Sequence, residues 1–184
     1  MLRRVLYFTQ QNRMVRAIRL GGMDVTTVVE DNPILYSLKS IIAHPTDKVL
    51  FGATNLGIVK IDPNTKMVMQ VVGSSSHSGG KDGPFHIAEF SKPIGLHFLT
   101  NDLLVIADDL NDRLRVADFR TKSVWSICNG NKAKVDGTNG ADCSLKEPRS
   151  VTSIGSSLYV GGWSSIRQME ITTTHSQHNA DIWG

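Results

Sequence analysis

Short apolar runs, rather than amphipathic stripes, organise this chain. No window of about 11–18 residues carries apolar side chains at i, i+3, i+4 and i+7, the mark of a packed helix. Runs rich in Val, Ile, Leu, Tyr, Phe and Thr recur instead, separated by Asn, Asp, Gly, Pro and Ser. Val5-Leu6-Tyr7-Phe8-Thr9, Val49-Leu50-Phe51, Leu103-Leu104-Val105-Ile106 and Ser157-Leu158-Tyr159-Val160 are examples. The pattern predicts an all-β protein.

The runs repeat in a fixed order. The pairs Tyr7-Phe8, Leu50-Phe51, Val105-Ile106 and Tyr159-Val160 recur at spacings of 43, 55 and 54 residues. Each pair is followed by turn residues and then by an apolar-basic step: Val15-Arg16, Val59-Lys60, Leu114-Arg115 and Ile166-Arg167. A further β run follows in three units, at Val25–Val29, Met67–Val72 and Val124–Ile127. A leading run precedes the pair in three units, at Ile41–Ala43, Ile94–Phe98 and Val151–Ile154. Four short strands per repeat of this length is the period of a propeller blade. Two leading runs share an introduction: Asp82-Gly83 with Ala88, Phe90 and Pro93, and Asp136-Gly137 with Cys143, Leu145 and Pro148.

These residues resemble the NHL-repeat β-propeller family. The third unit carries the fullest match: Asp82-Gly83, Ala88, Phe90, Pro93, Gly95-Leu96, Ala107-Asp108, Asn111, Arg113 and Leu114-Arg115. The first unit matches in its second half, through Asn12 and Val15-Arg16. The fourth has Gly162 in place of Asp108, and the second lacks both the Asp-Gly step and the proline. The resemblance implies a propeller of four-stranded antiparallel blades, closed in that family by six. The present chain then supplies about three and a half to four, over approximately 1–35, 36–78, 79–133 and 134–184. Such an array leaves a bare apolar face at each end, so further blades from a longer chain or another subunit are expected. Each recurring arginine is expected to form an inter-strand ion pair with Asp108, Asp109 or Asp118.

The charge pattern adds one candidate surface. The 184 residues carry a net charge of +3, ordinary for a soluble protein. Yet Arg3, Arg4, Arg13, Arg16 and Arg19 crowd the first twenty positions without an acid. With Tyr7 and Phe8 nearby, they offer a candidate rim for single-stranded RNA. No apolar run is long enough to span a bilayer as a helix, so no membrane insertion is expected. The basic start lacks the apolar core of a signal peptide.

Two cysteines, Cys128 and Cys143, follow an outer strand and precede the next blade. They are either reduced thiols or a disulfide whose loop closure contributes about 3 kcal/mol. A disulfide implies an extracellular or secretory setting, and free thiols a cytoplasmic one.

Catalytic patterns are absent from the sequence. The histidines His44, His77, His86, His97, His175 and His178 form no H-E-x-x-H or H-x-H motif, and no G-x-S-x-G occurs. His97 is the channel-lining candidate. The Gly-Ser run 73–83 reads as a flexible linker rather than a phosphate loop, since no G-K-[ST] follows. The expectation is a non-catalytic scaffold without cofactor or metal, presenting rim loops to a protein partner. RNA binding and an extracellular adhesion or receptor module are the alternatives.

Overall fold

A computed structural model describes residues 5–10, 13–22, 24–74, 76–128 and 145–170. Arg3, Arg4, Asp136, Gly137 and Cys143 lie outside them. The described residues form fifteen strands in four antiparallel sheets. Sheet 1 contains β1 (Val5–Gln10), β2 (Met14–Arg19) and β3 (Val25–Val29) in sequential order. Sheet 2 contains β4 (Ser40–Ala43), β5 (Leu50–Ala53), β6 (Gly57–Ile61) and β7 (Val68–Gly73).

Sheet 3 contains β9 (Pro93–Phe98), β10 (Leu103–Asp108), β11 (Arg113–Asp118) and β12 (Ser123–Cys128). A two-residue strand, β8 (Gly83–Pro84), adds to its outer edge beside β12. Sheet 4 contains β13 (Ser150–Ile154), β14 (Ser157–Gly161) and β15 (Ile166–Glu170). The remaining regular structure is two single-turn 3-10 helices, Pro33–Leu35 and Asp109–Asn111.

The sheets stack face to face because their strands are apolar on both faces. Val15, Ala17 and Val29 of sheet 1 pack with Leu50, Val59 and Ile61 of sheet 2. Phe51, Ala53 and Ile58 of sheet 2 pack with Leu104, Ile106 and Ala117 of sheet 3. Val105, Leu114 and Val116 of sheet 3 then pack with Val151, Leu158 and Val160 of sheet 4. Successive residues of β10 thus serve alternate neighbours, as a strand's two-residue period requires. The leading strands β4, β9 and β13 meet side by side along the inner edge. Gly95 permits this: a Cβ there would lie 2.9 Å from Ser150 Cα and 3.0 Å from the Arg149 carbonyl.

This is an incomplete β-propeller with four blade-like sheets. The structure corrects three sequence expectations. In sheet 2, Gly52 stands opposite Val59 while Phe51 stands opposite Lys60. In sheet 3, Ile106 stands opposite Arg115. Ile106 and Val59 both face the preceding sheet, whereas Phe51 faces the following one. Val59, not Lys60, is therefore the counterpart of Arg115.

Second, the two terminal faces differ. The free face of sheet 1 carries Leu6, Phe8, Ile18 and Val25, with Leu6 54% exposed. The free face of sheet 4 mixes Ile154, Tyr159 and Ile166 with a polar network. There Ser157 Oγ donates to Glu170 Oε1 at 2.8 Å, and Gln168 Nε2 donates to both residues.

Third, the linker read as flexible is fastened. Gly79 N–H donates to the Phe90 carbonyl, and Asn111 and Arg113 bind the carbonyls of Gly79 and Gly80.

Candidate functional site

The repeat-motif residues converge on one buried centre. Arg115 projects from β11 and is fully buried. Its Nε donates to Asp82 Oδ1 at 2.9 Å, and its Nη1 donates to Asp108 Oδ2 at 3.0 Å. The same Nη1 reaches the Glu89 carbonyl at 3.0 Å, and Nη2 reaches the Lys81 carbonyl at 2.8 Å. The guanidinium also lies over the Phe90 ring, 4.8 Å from its centroid.

Asp82 uses its other oxygen on the backbone N–H of Ser126 at 3.0 Å. Asp108 accepts further bonds from the Ser91 N–H at 2.9 Å and from Asn111 Nδ2 at 2.8 Å. Burial pushes the Asp108 carboxyl above the usual carboxylate range, against the pull of Asn111, Ser91 and Arg115. Arg115 thus ties the crossover 79–91 to β10 and β11, and Asp82 ties it to β12. Gly83 takes a φ of +132°, which lets the chain turn immediately after Asp82. Pro93 opens β9 from a buried position, and Pro148 is buried in the crossover before β13.

The expected Arg–Asp108 pair is present, but Asp82 carries the longer connection. Asp118 caps a turn instead: it accepts from Arg120 N–H at 2.7 Å and from Thr121 N–H at 3.2 Å. Asp62 does the same for Asn64 and Thr65. The shared D-x-x-T-K pattern of 62–66 and 118–122 is a repeat signal the sequence reading missed. Each ends on a lysine with positive φ, Lys66 at 62° and Lys122 at 55°.

The turns between second and third strands share one rim with the crossovers. Asn55 N–H donates to Ser37 Oγ, Lys92 N–H to the Asn55 carbonyl, and Leu110 N–H to the Ser91 carbonyl. Glu147 N–H then donates to Asp112 Oδ1 at 2.8 Å. Three large apolar side chains stand out of this rim: Tyr36 (74% exposed), Leu110 (60%) and Trp163 (65%). Arg13 lies over Tyr36 at 5.2 Å, and Arg149 over Trp163 at 4.7 Å.

A depression of about 300 Å³ opens between Leu110, Asp112, Lys146 and Glu147. Beneath it, fully buried Asp109 meets Lys92 Nζ at 3.0 Å and Arg149 Nε at 3.5 Å. Its oxygens are held by charge, since neither makes a hydrogen bond. Asp109 thereby joins the crossovers of sheets 3 and 4 under the rim. A second depression, about 510 Å³, is lined by Thr9, Gln10, Arg13 and Tyr36–Lys39.

Arg13, Arg16 and Arg19, the described members of the N-terminal set, do not gather into one patch. Arg13 occupies the rim, and Arg19 lies at the opposite end of β2. Arg16 points onto the free face of sheet 1, where Nη1 donates to Gln10 Oε1 at 3.0 Å. His97 projects from β9 and shares a 2.8 Å hydrogen bond with Ser153 Oγ of β13. Burial lowers its pKa below the usual histidine value. Among the described residues, no group of three or more His, Cys, Asp or Glu side chains forms a metal-binding cluster. Cys128 ends β12 fully buried, and no described cysteine is free. Its prospective partner Cys143 lies outside the described residues.

Comparison with solved structures supports the propeller class. A Bacteroides thetaiotaomicron protein of unknown function superposes with a TM-score of 0.79 at 21% identity, over 89% of this chain and 44% of its own. An auxiliary nutrient binding protein from the same organism gives 0.70 at 16% identity, over 88% and 43%. The structure of a nidogen/laminin complex gives 0.60 at 14% identity, over 92% and 72%. This chain therefore spans less than half the length of the first two. No protein family and no curated protein matches the sequence. Among the described residues no helix is long and apolar enough to cross a membrane.

Proposed function

We propose that this protein is a non-catalytic binding module of NHL type that engages a protein partner on the rim bearing Leu110 and Trp163. The observation that carries this reading is the exposure of Leu110 and Trp163 beside a depression with Lys146 and Arg149 close by. Aromatic and arginine side chains are the residues that most often dominate protein interfaces. The charges around the depression are mixed, since Asp112 and Glu147 line it beside Lys146 and Arg149 is paired with Glu147 and Asp109. The nutrient-binding neighbour and the nidogen/laminin complex lend support as proteins whose names denote binding.

A photo-crosslinking residue at position 110 tests the reading against one at position 122 on the opposite rim. Selective capture of a protein from position 110 is expected. Equal capture from both rims overturns the choice of surface. Turnover by the purified protein in a hydrolase, lactonase or lyase panel overturns the non-catalytic assignment.

An extracellular setting is the second reading, favoured by the absence of a free cysteine among the described residues. A Cys128–Cys143 bridge would pin the crossover that enters sheet 4. Mass spectrometry without reductant decides it. Two alkylatable thiols would place the protein in a reducing compartment.

A further inference from the structure

The clasp at Arg115 follows a rule in sheets 2 and 3, where both of its parts are described. Sheet 3 has both an Asp-Gly crossover and the arginine it binds. Sheet 2 has neither: its crossover lacks Asp-Gly, and Val59 occupies the arginine position. Leu35 of that crossover is buried against Val59 and Ile61 instead, so apolar packing replaces the ion pair. Sheet 1 breaks the rule. Arg16 stands opposite Phe8 as Arg115 stands opposite Ile106, on the equivalent face. Its Nε is buried and has no hydrogen-bond partner. The surrounding face, with Leu6, Phe8, Ile18 and Val25, is the uncovered apolar one.

We propose that this face receives the crossover of a preceding propeller blade, and that an aspartate on that crossover binds Arg16 as Asp82 binds Arg115. Charge complementarity fixes the occupant's chemistry: an Asp-Gly turn followed by a chain that lays apolar side chains over Phe8. A second copy of this chain fits poorly. Its Asp82 is committed to Arg115 and Ser126, and its Asp136-Gly137 step leads into sheet 4. Its free sheet 4 face also presents Gln168 and Glu170 in a closed polar network rather than an apolar cover. The occupant is therefore additional blade-forming sequence.

The chain carries its own probe. Residues 78–102 form the crossover, inner strand and turn that precede β10. Joined to Val5 in place of the first four residues, they should complete sheet 1 and bring a grafted Asp82 to Arg16. A rise of several degrees in Tm is expected. Replacing the grafted Asp82 by Asn, or making Arg16→Met, should remove most of the rise, and the two changes together should cost no more than either. A rise indifferent to both substitutions overturns the proposal.

Should amide exchange show the graft undocked, a peptide of residues 78–92 is titrated into the unmodified chain while the Arg16 Nε–H resonance is followed by NMR. A shift that disappears when the peptide's aspartate becomes asparagine is expected. No shift at millimolar peptide, or equal shifts from both peptides, overturns it.

Discussion

Replacing Arg115 by methionine isolates what the clasp contributes. Methionine fills much of the aliphatic space but removes four hydrogen bonds and the contact with Phe90. Asp108, with no exposed surface, would be left as a buried carboxylate held only by Asn111 and the Ser91 N–H. Removing one partner of a buried ion pair costs about 3–5 kcal/mol. For a domain of this size each kcal/mol lowers Tm by about 2–4 °C, so a fall of about 10 °C is expected.

Asp82→Asn should cost less, about 1–2 kcal/mol, because hydrogen bonds survive and the Asp82 side chain is 41% exposed. Asp108→Asn in the Arg115→Met background should recover part of the loss, since the stranded charge is neutralised. Urea unfolding followed by tryptophan fluorescence measures all four chains. An Arg115→Met cost below about 1 kcal/mol, the range of exposed ion pairs, would refute the claim that the clasp holds the crossover.

Other predictions follow from the same geometry. Gly95→Ala should destabilise by about 1–3 kcal/mol, because the new methyl meets backbone rather than a yielding side chain; thermal denaturation checks it. The unfolded chain protonates His97 near pH 6.5, whereas the folded chain resists until lower pH. Stability from this residue is therefore complete above about pH 6.5 and falls as pH drops below it, and His97→Gln should flatten that limb of a pH–stability curve. Trp163→Ala should weaken partner capture by about tenfold or more without lowering Tm, because its ring is exposed. If Cys128 and Cys143 are bridged, reduction should cost about 3 kcal/mol in unfolding free energy.

The architecture was legible because alternating apolar runs and turn residues are written locally. Blade order followed from the Asp-Gly steps and from prolines at the entries of leading strands. Strand phase was less legible. The step Val59-Lys60 looks like Leu114-Arg115 in composition, yet it is displaced by one residue, and a one-residue shift exchanges faces. Only the pairing of Gly52 with Val59 reveals it. Asp82 was recognised as a repeat-motif residue ahead of a leading strand but not as the arginine's partner, because 33 positions separate them. The rim was hidden for the same reason: Leu110, Lys146 and Trp163 meet through the stacking of sheets 3 and 4. The linker's apparent flexibility reflected its glycines and serines, whereas its order comes from Asn111, Arg113 and Arg115, which arrive later in the chain.

The clasp also sets where this protein can be cut and rejoined. Asp82 precedes Arg115 within one repeat, so the ion pair closes a short loop inside a single unit and crosses no unit boundary. A duplication or recombination that begins just after an outer strand carries the aspartate together with its arginine. One that begins between crossover and inner strand separates them and leaves the buried Arg115 without its Asp82 partner. The permitted breakpoints of the array are thus set by electrostatics as well as by strand count. Repeats gained or lost during its history should change in steps that keep each aspartate ahead of its own arginine.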